Sequence, residues 1–175
     1  MARIVECIPN FSEGRDAAKV KQILEAISAV SGIKLLDHSM NADHNRSVVT
    51  FISEPEKVLE AAFAACSKAA ELINMEQHHG EHPRIGATDV IPFVPISEVT
   101  MADCVDMAKK LGERIGTELQ IPVYLYEEAA TRPERRDLAY IRKGQYEALK
   151  AELGVEPGRE PDFGPAQMHP SAGAT

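Results

Sequence analysis

The order in which two apolar periodicities alternate constrains this fold more than any other feature. "RIVECIPNF" (3–11) reads as a strand that ends at Pro9. Residues 16–30 then place Val20, Ile23, Leu24, Ile27 and Val30 at helical spacing, and Gly32 closes that helix. "IKLLDH" (33–38) and "RSVVTFIS" (46–53) read as two strands of a hairpin, joined by a polar turn. Ser53 with Glu56 gives a capping-box pattern for a second helix, which runs to about Ile73 with Leu59, Ala62, Phe63, Cys66, Ala69 and Ala70 facing inward. "TDVIPFVPI" (88–96) is strand-like, and Pro92 and Pro95 confine it to an edge or a bulge. The order β-α-β-β-α-β is that of the split β-α-β, ferredoxin-like arrangement. The predicted class is therefore α/β (α+β), a mostly antiparallel sheet with helices on one face. An α-β extension follows. Its helix, 101–119, is capped by Thr100 and Asp103 and turns Cys104, Ala108, Leu111, Ile115 and Leu119 inward. Its strand is "PVYLYE" (122–127), and a further helix is predicted over 138–153. There is no internal repeat.

Charge and composition exclude several roles. A formal net charge of −8 is the wrong sign for non-specific nucleic-acid binding, which needs a basic face. The start, MARIVECIPNF, lacks the basic and apolar regions of a signal peptide. Later apolar stretches are interrupted well short of the ~18 residues that a membrane span needs. The expectation is a soluble, cytoplasmic protein with no membrane partner. Cys7, Cys66 and Cys104 are odd in number and widely spaced, so they read as small buried hydrophobes rather than a disulfide framework.

"MEQHHGEHPRIG" (75–86) holds three of the six histidines within five positions. His78 and His82 have the i, i+4 spacing of two metal ligands on one helical face. Gly80 breaks that helix, and Pro83 pushes His82 out of the α region, so no metal is expected. Two readings stay open. One is a solvated polar loop. The other is a loop that presents an imidazole to a cleft, where a pKa near working pH suits proton transfer. A second polar cluster, Asp37, His38, Asp43, His44, Asn45 and Arg46, occupies the hairpin turn and its flanks. A β-β turn and a loop entering a strand can meet at one end of a sheet.

From Gly154 the chain is rich in proline and glycine, which divides it into 1–154 and 155–175. The second piece reads either as a tail or linker, or, because it also carries Phe163, Gln167, Met168 and His169, as something more specific.

"VECIPNFSEG" (5–14), "DHNRSVVTF" (43–51), "HHGEHPRIGATDVIPFVPI" (78–96), "PVYLYEEAA" (122–130), "PDFGPA" (161–166) and "HPSAGAT" (169–175) together resemble the N-terminal subdomain of glutamate formimidoyltransferases, the transferase part of formimidoyltransferase-cyclodeaminase. The resemblance spans essentially the whole chain. It implies transfer of a formimidoyl group from N-formimidoyl-L-glutamate to tetrahydrofolate, a step of histidine degradation and one-carbon metabolism. It also implies two similar subdomains with folate between them, the second lying beyond Thr175. The family's catalytic histidine falls on His82. Its folate-binding stretch falls on Phe163, Gly164, Pro165, Ala166 and Gln167, continuing through Met168, His169, Pro170, Ser171 and Ala172. Ser39 stands where vertebrate members carry a site carboxylate, which leaves Asp37 and Asp43 as the acids of that stretch.

The chemistry asks for matching residues. The attacking amine must lose a proton and the departing glutamate nitrogen must gain one, and one imidazole can do both in turn. The donor's amidine is cationic and calls for a carboxylate, with Asp37 and Glu81 as candidates. Its two carboxylates call for cations, with Arg46 and Arg84 as candidates. His79 is a further substrate-binding candidate. Tetrahydrofolate would be a co-substrate and no metal is required. Two alternatives remain: a stand-alone folate-binding or interaction module without turnover, and a glutamate formyltransferase using an N-formyl donor. Without its second subdomain such a chain would expose apolar surface, so a weak homodimer is expected.

Overall fold

The computed structural model describes residues 1–175. Its strands are β1 (Ile4–Cys7), β2 (Asn10–Phe11), β3 (Lys34–Asn41), β4 (Arg46–Ser53), β5 (Thr88–Val90) and β6 (Phe93–Ser97). Strands β1 and β2 are one run interrupted at Pro9, and β5 and β6 are one run interrupted around Pro92, because proline has no N–H to give a ladder. Strand β4 is central. It pairs with β3 on one side and with β1 and β2 on the other, and β1 and β2 continue to β6 and β5, every pair antiparallel. The predicted split β-α-β order is therefore present.

The helices cover one face. Along β4, Ser47, Val49, Phe51 and Ser53 are buried and alternate with half-buried Arg46, Val48, Thr50 and Ile52. The buried set packs on helices α1 (Ala17–Ser28), α2 (Pro55–Leu72) and α3 (Met101–Arg114), whose Ile23, Ile27, Ala62, Cys66 and Leu111 belong to one core. The alternate set lines an open face. Asp16 caps α1 by accepting from the amides of Ala18 and Lys19. Thr100 and Asp103 form the predicted capping box of α3, which ends in a π turn over Ile115–Leu119. All three cysteines are buried and unpaired. No helix is long and apolar enough to cross a membrane.

Three local expectations are corrected. Ser53 does not cap α2: it is the last residue of β4, and its hydroxyl donates to the Gly32 carbonyl at 2.8 Å. The helix starts instead at Pro55, which needs no N–H partner there. Residues 122–127 form no strand: 122–125 are an irregular buried segment whose partner is the glycine- and proline-rich tail, and Glu127 begins an exposed turn. The Val123 amide donates to the Phe163 carbonyl at 2.9 Å and the Tyr124 amide to that of Thr175 at 2.8 Å. The helix expected over 138–153 breaks at Gly144, which has φ of +77°, into α4 (Leu138–Arg142) and α5 (Gln145–Glu152).

The tail after Gly154 is built into the molecule. The Ala87 amide donates to Ala172, the Ala174 amide to Ile85 and the Met75 amide to Ser171, while Phe163 packs against Gly112 of α3. Ala172 and Ala174 are buried in the core.

Candidate active site

The hairpin turn before β4 and the histidine loop meet at one end of the sheet. The Glu81 amide donates to the Asp43 carbonyl at 3.1 Å, and the Asn45 side-chain amide to the His79 carbonyl at 3.0 Å. Gly80 lies so close to the turn that a Cβ there would overlap the His44 carbonyl oxygen. Asn45 holds the turn in the left-handed region, at φ of +51°, and its Oδ1 accepts from the Gly14 amide at 2.9 Å.

The three loop histidines separate by environment. His78 is buried and occupied on both nitrogens. Its Nδ1 accepts from Arg84 Nε at 3.0 Å, so the proton sits on Nε2, which donates to the Asn45 carbonyl at 2.9 Å. Burial is the main reason that its pKa lies below the usual value. His79 is exposed and contributes its backbone carbonyl to the turn. His82 is half-buried, with its ring centroid 6.0 Å from that of His44. Burial, then the charges of Arg46, Arg142 and His44, push the His82 pKa down to about 4. Near neutral pH it is a neutral imidazole within the influence of two guanidinium charges.

The other sequence candidates fall in different places. Arg46 opens β4 on the open face, near His82. Glu81 is exposed, and it holds the Asp43 carbonyl through its backbone amide. Asp37 is exposed on β3 opposite Thr50, on the same face as Arg46. It is four residues up the ladder from Asn41, the partner of Arg46, or about 13 Å at strand rise.

Arg84 is corrected. It is buried, and all five guanidinium N–H groups are spent inside the chain: on His78 Nδ1 and its carbonyl, on Gln145, and on both oxygens of Glu147. That pairing holds the Glu147 carboxyl down to about 2. No donor is left for a substrate carboxylate.

The stretch 163–172 makes its hydrogen bonds to Ala70, Met75, Ala87, Val123 and, within the tail, Gly173, none to His82, His44 or Arg46. Phe163, Ser171 and Ala172 are taken up by packing or hydrogen bonds, and His169 Nδ1 accepts from the amides of Ser171 and Ala172. Gly164, Ala166, Gln167 and Pro170 remain exposed.

Sequence reasoning did not single out Arg142 and Asp89, which the fold joins near the histidine loop, and left His44 in a polar turn. Asp89 is buried. Its Oδ1 accepts from the Ile85 amide at 2.7 Å and its Oδ2 from Arg142. Only the D-H-N-R run of the hairpin turn was a usable signal, because it sets His44 beside Arg46. A separate, mostly apolar cleft of about 330 Å³ lies between β5, β6, α3 and residues 123–129, with Asp89 in its wall and His82, His44 and Arg46 outside it.

Residues 4–175 match the family model of the formiminotransferase domain, N-terminal subdomain. A glutamate formimidoyltransferase of Streptococcus pyogenes serotype M1 is 50% identical over 175 residues, all of this chain and 58% of the relative. Its namesake from Thermoplasma acidophilum is 54% identical over 165 residues, 93% of this chain and 54% of the relative. The formimidoyltransferase-cyclodeaminase of Rattus norvegicus is 49% identical over the whole chain, which is 32% of the relative. The chain thus spans between about a third and a little over half of these relatives' lengths. On a match that runs through both the hairpin turn and the histidine loop, it belongs to the formiminotransferase family, in the position of the N-terminal subdomain.

Proposed function

We propose that this chain forms one wall of a site that transfers a formimidoyl group from N-formimidoyl-L-glutamate to tetrahydrofolate, with His82 as general acid and base. The observation that carries this reading is the surroundings of His82: half-buried, 6.0 Å ring to ring from His44, and held neutral by burial and the charges of Arg46 and Arg142. N5 of the reduced pterin attacks the amidine carbon and its proton passes to His82. The tetrahedral intermediate then collapses with cleavage of the bond from that carbon to the glutamate nitrogen, and His82 returns the proton to this nitrogen. Donor carboxylates near Arg46 and Arg142 offset the charges that depress His82, which brings its pKa up toward the working pH. Glu81, exposed on the same loop, and Asp37, on the sheet face of Arg46, are the carboxylates we assign to the cationic amidine. In the stretch 163–172, Gly164, Ala166, Gln167 and Pro170 are the residues left to offer to folate.

The relatives' lengths support a second subdomain as the other wall, supplied in the same chain or separately. The test is formimidoyl transfer by this chain with and without that second half. Activity is expected only in the assembly. There, His82→Ala should lower kcat by about 10²–10⁴-fold, the usual contribution of a positioned acid/base. Unchanged kcat would sink the assignment. Folate binding without turnover in the assembly would favour the binding-module reading, and turnover of N-formyl-L-glutamate in preference would favour formyl transfer.

A further inference from the structure

The surroundings of His82 contain two buried nitrogens with no partner, His44 Nδ1 and Arg142 Nε. Buried polar atoms are normally satisfied, and an orphan beside a candidate site is a place where a ligand completes the set. Both orphans belong to residues that act on His82, one through a ring 6.0 Å away and the other through its charge. Arg46, two residues after His44 at the start of β4, adds a second guanidinium whose charge is felt at His82. In a chain of net charge −8, His82 thus has His44 beside it and feels the charges of two arginines.

Asp89 is the acid tied into the cluster, and it is already committed. One oxygen takes the Ile85 amide at 2.7 Å, three residues beyond His82, and the other takes Arg142 Nη2. Asp89 therefore fastens the exit of the histidine loop and one end of the Arg142 guanidinium to β5. The rest of that guanidinium keeps unused donors. A guanidinium gripped at one end with donors unspent is prepared for a planar anion such as a carboxylate.

We propose that Arg142 and His44, together with Arg46, form the subsite that takes a carboxylate of the donor beside His82, with Asp89 as the positioning residue that holds Arg142 there. The proposal rests on the transferase reading above for the identity of the donor, and it gives Arg142 the task that Arg84 has no free donor to perform. Arg142 lies on α4, distant in sequence from both loops, so its assignment comes from the fold alone.

The chain can be tested directly. N-formyl-L-glutamate, a dianion close in shape to the donor, is titrated into the labelled chain while the imidazole resonances of His44 and His82 are followed. Saturable shifts are expected at both rings, and none with the dimethyl ester. Arg142→Gln should weaken binding at least about tenfold, as loss of a charge-assisted hydrogen bond does, while Arg142→Lys retains part of it. Asp89→Asn should weaken binding in the same direction, and Arg114→Gln, at a surface ion pair on α3, should leave it unchanged. In the assembly with the second subdomain, Arg142→Gln should raise KM for the donor with a much smaller effect on kcat. Absence of shifts in the parent chain, equal shifts with the ester, or equal affinity in Arg142→Gln each overturn the subsite. Dianion binding through Arg142 in an assembly that transfers nothing would support the subsite while rejecting the transferase reading. Transfer with an unchanged donor KM in Arg142→Gln would do the opposite.

Discussion

Arg84 and His82 are two residues apart and sit in opposite environments. Arg84 is surrounded by acceptors, so its role is to hold the loop. Arg84→Ala would strip the donors from His78 Nδ1 and the His78 carbonyl, and orphaned buried acceptors cost about 1–3 kcal/mol each. Chemical denaturation should show a loss of about 2–4 kcal/mol, and Arg84→Lys should recover little of it, because an ammonium lacks the planar fork. His82 leads to a pH dependence. Burial and the facing charges of Arg46, Arg142 and His44 place its folded pKa at about 4, below the ~6.5 of an unfolded histidine. Between these values the unfolded chain binds a proton that the folded chain refuses. Stability from this group is therefore present above ~6.5 and lost as pH falls toward about 4. His78, depressed mainly by burial, acts in the same direction. Unfolding midpoints measured from pH 7 down to 4 should fall, and Arg46→Gln should flatten that fall by letting the His82 pKa rise. A slope unchanged in Arg46→Gln would show that Arg46 does not act on His82. The sequence distinguished His82 by its proline and glycine neighbours and by the family resemblance. It did not distinguish Arg84, whose inward turn depends on Gln145 and Glu147, 61 and 63 positions away.

At the scale of elements, strands and helices whose signals are local were legible. Asp16 and the Thr100–Asp103 box start helices where their side chains satisfy the first amides. Ser53 has the same chemistry, but its hydroxyl was taken by Gly32, 21 positions away. Residues 122–127 alternate like a strand, yet a strand requires a continuous partner, and the tail supplies only isolated bridges such as Val123 with Phe163. The tail itself shows composition to be a weak guide. Its glycines and prolines exclude helix and strand, but not burial. Deleting residues 155–175 would expose the core around Ala172 and Ala174 and orphan the amides of Met75 and Ala87. The truncated chain is expected to lose cooperative unfolding and its near-ultraviolet circular dichroism. Retention of a sharp transition would show that the tail is a spacer.

For the whole molecule, one sheet face is covered by helices and the other is open, with Arg46 at its edge. The cleft beside α3 and the exposed Ile96 and Met101, at 55% and 46%, are apolar surface of a kind that associates. Sedimentation of the isolated chain should show concentration-dependent pairing that the second subdomain displaces. A monomer of unchanged solubility at high concentration would count against it. The sequence by itself determined the β-α-β-β-α-β order of the first elements, the placing of helices on one face of the sheet, and the net acidity of the chain. Periodicity, caps and prolines act over a few residues, and net charge needs no geometry. The tertiary structure alone decided that the charges of Arg46 and Arg142 act on His82 while Arg84 is buried against His78, Gln145 and Glu147. It also joined Asp89 to Arg142 and made a glycine-rich tail part of the core. Those outcomes depend on contacts between residues dozens of positions apart, whose partners no local pattern can name.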